Sequence, residues 1–235
     1  MLVKLKKSLK NINYKLFIAL LFMGLCPTIY NTLRVFWLGE MPGEYSYSIA
    51  GQLSWVNLIY EIINEAIILP LFYFMGQALT NKKEFTNRLK TGLLITLIIY
   101  LFLSVIVIVF TEPLLRLMAT SNEILDLSVK YIRLEAVANI FNILYSFVLV
   151  CLVTLDKSKY VYLLTFAKLM FSVILDIFLI SNLNISLKLG VNGIAISNII
   201  ISLVMFNITL YILYIWVKRI FSSSCDNWEG VPPPK

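Results

Sequence analysis

Residues 93–110 read LLITLIIYLFLSVIVIVF, a continuous apolar run of 18 residues without a charge. A run of that length is read as a helix crossing the hydrocarbon core of a bilayer, about 30 Å thick at about 1.5 Å per residue. Working outward from it, the sequence holds six such spans, near 16–39, 49–79, 89–110, 129–155, 160–181 and 191–217. The expected fold class is therefore an all-α integral membrane protein with six transmembrane helices. The second run exceeds one straight crossing, so its first part is expected at the interface or its helix tilted. Pro27 and Pro70 fall inside the first and second spans, where each removes a backbone hydrogen bond and favours a kink.

The composition agrees. Of the 235 residues 60% are hydrophobic and 14% charged, against about 25% charged in an average soluble domain, and the mean hydropathy is +0.85. The net charge of +7 comes from 20 basic and 13 acidic residues. The basic residues sit between apolar runs and form no aromatic-interleaved patch, so the lipid bilayer and not nucleic acid is the expected partner. Histidine is absent, which excludes histidine metal sites, triads and proton relays. Cys26, Cys151 and Cys225 follow no zinc or redox spacing. There is no Walker loop, GxSxG, HExxH or CxxC. No enzyme activity and no cofactor are expected.

Loop charge sets the orientation. The arm 1–15 carries Lys4, Lys6, Lys7, Lys10 and Lys15, and the connection 40–48 carries no basic residue. Lys82, Lys83, Arg88 and Lys90 follow the second span, Lys157 and Lys159 the fourth, and Lys218 and Arg219 the sixth. Positive residues thus gather on one side, which places both termini in the cytoplasm of a cell-membrane protein. The first apolar run is too long for a signal peptide and lacks a small-residue cleavage site, so it is read as a retained helix. Three regions result: a basic cytoplasmic arm over 1–15, a six-helix lobe over 16–217, and a polar, proline-rich tail over 218–235 expected to be disordered.

Inside the spans lie Arg34, Glu61, Glu65, Glu135, Lys168 and Asp176. A charge near the bilayer centre costs about 2.5–3.5 kcal/mol on insertion scales and marks a bundle interior or a wet cavity. Glu61 and Glu65 are one helical turn apart and point the same way. Two such carboxylates in low dielectric need a proton or a cation between them. Arg34, Lys168, a bound Na⁺ or a cationic substrate would each serve, with Asn57 one turn from Glu61 and Asn31 as further polar groups. Asp176 and Lys168 lie in the fifth span. Glu135, about two turns into the fourth, is within reach of the headgroups, and Arg34 is placed to snorkel. The plain alternative for any of these is a buried ion pair that only fixes helix packing. For Asn139, Asn142, Asn198 and Asn207 it is an interhelical hydrogen bond.

Two stretches carry a resemblance. IYNTLRVFWLG at 29–39 resembles the first-helix signature of the multidrug and toxic compound extrusion (MATE) transporters, with Tyr30, Asn31 and Gly39 in register. SVILDIFLI at 172–180 with LGVNGIAISNIIISL at 189–203 resembles the family's fifth and sixth helices, through Leu175, Asp176, Leu189, Gly190, Val191, Gly193 and Ala195. The LDKSKY turn falls where the family has its turn after helix four. The sequence departs from the pattern at Arg34, where many members carry an acid, at Ser172 in place of Asn, and at Glu61 and Glu65 in place of small or apolar residues.

The resemblance implies a cation-coupled antiporter that exports organic, often cationic or drug-like, compounds in exchange for Na⁺ or H⁺. Its expected site residues are Glu61, Glu65 and Asp176 as acids, Arg34 and Lys168 as charge partners, and Asn31 and Asn57 as polar helpers. Na⁺ is a candidate ligand at Glu61, Glu65 or Asp176, and the acidic function is expected to have moved to the second span with Arg34 as partner. The family has two six-helix lobes and this chain one, so the second lobe is a missing C-terminal half or a second copy. The alternatives are a flippase of a lipid-linked precursor and a half-protein that does not transport.

Overall fold

In a computed structural model, the described residues are 14, 17, 18, 21, 25, 28–30, 32, 34, 46–79, 81–181 and 183–222. The described residues of the first predicted span are all helical. After them come α1 (Ser46–Gly76), α2 (Lys82–Leu117), α3 (Asn122–Thr154), α4 (Ser158–Leu179) and α5 (Val191–Ser222). Each of these five is long and apolar enough to cross a membrane, and no strand occurs among the described residues. Most of the first span, the basic arm apart from Tyr14, and the tail from 223 lie outside the described residues.

The helices outrun the apolar cores that revealed them. α2 begins at Lys82, inside the lysine-rich stretch expected to be a connection, and runs through Leu117. The cause is local. Asn81 caps the helix, its side chain accepting from the amides of Lys83 at 3.0 Å and Glu84 at 3.4 Å. Arg88 pairs with Glu84 at 2.5 Å and Arg116 with Glu112 at 2.9 Å, each one turn apart. Hydropathy registers only the hydrocarbon slab, whereas the hydrogen-bond ladder continues to the next stop signal. At α3 that stop is Asp156, whose φ of 57° ends the helix while the Lys157 amide bonds back to the Leu152 carbonyl at 2.9 Å. α5 likewise continues past 217 to Ser222.

α3 is the central element. Of its most apolar window 67% is buried inside the protein, against 17–28% for the other four. It packs on α5, α2 and α1, and more lightly on α4. Small residues permit the close approaches. A Cβ on Gly92 of α2 would lie 2.7 Å from the Phe147 ring on α3. Ser104 of α2 donates to the Ala136 carbonyl of α3 at 3.0 Å and is 3.0 Å from the Tyr60 hydroxyl of α1. Such polar links take the place of the missing hydrophobic drive between helices in lipid.

Phe85, Leu155 and Val217 share one buried cluster, and the Lys157 ammonium stands 4.3 Å from the Trp216 ring centroid. The start of α2, the α3–α4 turn and the end of α5 therefore occupy one end of the lobe. That end carries the basic residues flanking those helices.

Candidate functional site

Toward the opposite end, four chain segments bring polar side chains together. Tyr30 and Arg34 are one turn apart in the first span, Glu135 is on α3, Asp176 is in the last turn of α4, and Asn198 is in the second turn of α5. Arg34 donates through Nε to Asp176 Oδ2 at 3.1 Å and through Nη2 to Oδ1 at 3.2 Å. The Tyr30 hydroxyl donates to the same Oδ2. Arg34 Nη2 also donates to Asn198 Oδ1 at 3.0 Å, and Asn198 Nδ2 donates to Glu135 Oε1 at 2.5 Å. The guanidinium stands 4.7 Å from the Tyr30 ring centroid. Asp176 is 1% exposed and Glu135 4%.

The planar fork of arginine suits this place. It meets a carboxylate with two parallel donors and keeps a third for Asn198. Asn198 then acts as a coupler, accepting from the cation and donating to the second acid. With every group ionised, one guanidinium faces two carboxylates and the network carries one uncompensated negative charge. In low dielectric that charge calls for a proton or a further cation.

A second cation stands apart. Lys168 Nζ donates to Asn142 Oδ1 at 2.5 Å and lies 4.5 Å from the Tyr145 ring centroid. No carboxylate is within ion-pair distance of it among the described residues.

The expected partnership of Arg34 with Glu61 and Glu65 does not occur among the described residues; Arg34 goes to Asp176 instead. Glu61 and Glu65 are exposed on α1, with no hydrogen bond or ion pair among the described residues. The reason is rotational. Tyr60 and Val56 turn to the α2 and α3 side and are buried, which swings Glu61 and Glu65 to the open face. Asn57 is half-buried beside them. Asn31 lies outside the described residues. Among the described residues no three acidic or cysteine side chains form a metal-holding group.

Glu135 and Asn198 were the residues sequence reasoning undervalued. α3 begins at Asn122, not near 129, so Glu135 is more than three turns inside the helix. The polar first turns, with Glu123, Asp126 and Lys130, hid that start. Asn198 was visible only as one of several asparagines in apolar runs.

A family model described as MatE matches residues 19–178. No curated protein matches the sequence. Several solved structures share the fold, among them the following three. The outward-facing conformation of a multidrug resistance MATE family transporter of the MOP superfamily aligns with a TM-score of 0.75 at 18% identity, covering 88% of this chain and 45% of that one. A MOP superfamily transporter from Pyrococcus furiosus, described as having a binding pocket of reverse polarity that suggests a different function, gives 0.75 at 17% identity, covering 87% and 44%. A MATE protein in a bent conformation gives 0.71 at 16%, covering 97% and 49%. The chain spans about half the length of each.

Proposed function

Because the chain belongs to the MatE family, a family of membrane transporters and not of enzymes, we propose that it forms one lobe of a secondary antiporter exporting organic compounds against a monovalent cation. The second lobe would come from further sequence or from a second copy. The basic end of the lobe would face the cytoplasm of a cell-membrane protein, in keeping with the positive-inside bias.

The observation that carries this reading is the buried network of Arg34, Asp176, Asn198 and Glu135. A purely structural pair would be balanced; this one has an acid in excess, which suits a site that gains and loses H⁺ or Na⁺. Because Asp176 already holds Arg34, Glu135 is the acid assigned to the exchanged ion. Occupancy there would change the pull on Asn198 and, through it, on Arg34. That supplies a difference in ion affinity between two packings of the first span against α4 and α5, which alternating access requires.

Glu61 stands at the middle of the 31-residue α1, too deep to reach headgroups and open to the outside of the lobe. A carboxylate there belongs in a water-filled cleft and not in lipid. Glu61 and Glu65 are therefore assigned to the cleft between lobes, where they would meet a cationic part of the cargo or the coupling ion.

The test is efflux. In pump-deficient bacterial cells, the protein is expected to lower ethidium accumulation. Glu135→Gln and Asp176→Asn, at equal membrane abundance, are expected to abolish that effect. Unchanged efflux by both variants would remove the network from the mechanism. Lys168 favours a second reading, movement of an anion-bearing compound, developed next.

A further inference from the structure

Lys168 is the one interior cation among the described residues that the network does not use. We propose that Lys168, with Asn139 and Thr165 beside it, forms a binding site for an anionic oxo group, phosphate or carboxylate, on the compound carried. The proposal rests on reading the chain as a transporter lobe and adds the chemistry of its cargo.

Depth comes first. Lys168 is the eleventh of the 22 residues of α4, about 15 Å from either end at 1.5 Å per residue. Its stem cannot carry the ammonium to a headgroup region from there, so the usual escape by snorkelling is closed. A buried ammonium has three protons to place. One goes to Asn142, a neutral amide, and the Tyr145 ring faces the charge. Neither neutralises it. Asp176 lies two turns further along the same face of α4, about 12 Å away, and Arg34 already engages it.

The surroundings then select the ligand. Thr165 is one turn before Lys168 on α4, and its hydroxyl is buried with no hydrogen-bond partner among the described residues. Asn139 is one turn before Asn142 on α3, and its amide nitrogen is likewise buried without a partner among the described residues. Unmade hydrogen bonds of this kind are costly and are normally satisfied. The Asn139 amide nitrogen can only donate and the Thr165 hydroxyl can donate, one on α3 and the other on the lysine's own helix. A cation placed there is repelled by the lysine charge and leaves the Asn139 amide N–H unmet. An oxo anion accepts from the ammonium, the amide and the hydroxyl. Lys168 as a residue is half-buried and not sealed off.

The experiment is a binding titration on the purified protein in detergent micelles, with thermal unfolding as readout and no ion gradient. The probes are phenyl phosphate and phenyltrimethylammonium, which share a ring and differ in charge. Phenyl phosphate is expected to raise Tm in a saturable way. Lys168→Met is expected to weaken it about tenfold or more, the loss of one charged hydrogen bond, and Lys168→Arg to retain most of it. Asn142→Asp places a carboxylate on the lysine, so it is expected to abolish phosphate binding in a protein at least as stable as the wild type. It gives the answer should Lys168→Met fold poorly. The ammonium probe is expected to be indifferent to all three.

Phosphatidylglycerol added to the same micelles separates the sources. Displacement of phenyl phosphate marks a lipid headgroup, and no displacement marks a soluble anion; the site stands in both. The proposal is overturned if phenyl phosphate leaves the wild-type Tm unmoved, or if Lys168→Met and Asn142→Asp bind it as the wild type does. Lost phosphate binding beside intact ethidium efflux removes the anion site alone. Intact binding beside absent efflux removes the transporter reading alone.

Discussion

Arg34 and Asp176, 142 residues apart in the chain, form a two-pronged ion pair that ties the first span to the last turn of α4. Both side chains are largely withdrawn from solvent, at 11% and 0% exposure. Withdrawal makes the pair costly to break from one side, because the abandoned partner is left as a lone buried charge.

Arg34→Gln and Asp176→Asn are each expected to destabilise the protein by about 3–5 kcal/mol. The double variant leaves no orphan charge at this pair and is expected to lose less than the sum. Thermal unfolding of the four proteins in one detergent, analysed as a double-mutant cycle, measures the coupling. Strictly additive losses would mean that the two side chains do not act on each other.

Asn198→Ala removes the amide between Arg34 and Glu135. The expected loss is about 1–3 kcal/mol from an unpaired buried acceptor, with a fall in efflux larger than that of Asn207→Ala. Among the described residues Asn207 bonds only to the Leu203 carbonyl of its own helix, and it supplies the control. Equal efflux in the two variants would show that the coupler is dispensable.

Glu61→Gln and Glu65→Gln should separate stability from transport. Both side chains are exposed and unpartnered among the described residues, so Tm is expected to hold within the range of surface changes, about 0.5 kcal/mol. Efflux is expected to fall severalfold or more. A large drop in Tm would place them in packing and remove them from the cleft.

Gly92→Ala tests the α2–α3 contact. The new Cβ would sit 2.7 Å from the Phe147 ring, an overpacking expected to cost about 1–3 kcal/mol. Phe147→Leu in the same chain should restore part of that loss in thermal unfolding.

The membrane helices were legible because 18 uncharged, overwhelmingly apolar residues in a row leave little else to be, and LLITLIIYLFLSVIVIVF alone establishes the class. Their ends were not. Asn81 and the pairs Arg88–Glu84 and Arg116–Glu112 extend α2 through polar residues that a hydropathy reading assigns to loops. Glu135, read as within reach of the headgroups, is instead 4% exposed and bonded to Asn198, which the packing of α3 on α5 decides. Arg34, Asp176 and Lys168 stood out because charge inside an apolar run is rare. Their partners did not, since pairing across four segments depends on helix rotation, which spacing within one helix leaves open. Glu61 and Glu65 show the limit: their one-turn spacing placed them on a common face, and only the packing of Tyr60 and Val56 decided which way that face looks.

The central claim is that the unbalanced charge at Glu135 is where the exchanged ion acts. The most direct test is ion flux in proteoliposomes of the complete transporter, with H⁺ and Na⁺ movement followed while a substrate gradient is imposed. Wild-type protein is expected to move one of these ions against the substrate, and Glu135→Gln, at wild-type Tm and equal incorporation, to move neither. Ion-coupled exchange at the wild-type rate in Glu135→Gln would contradict the claim.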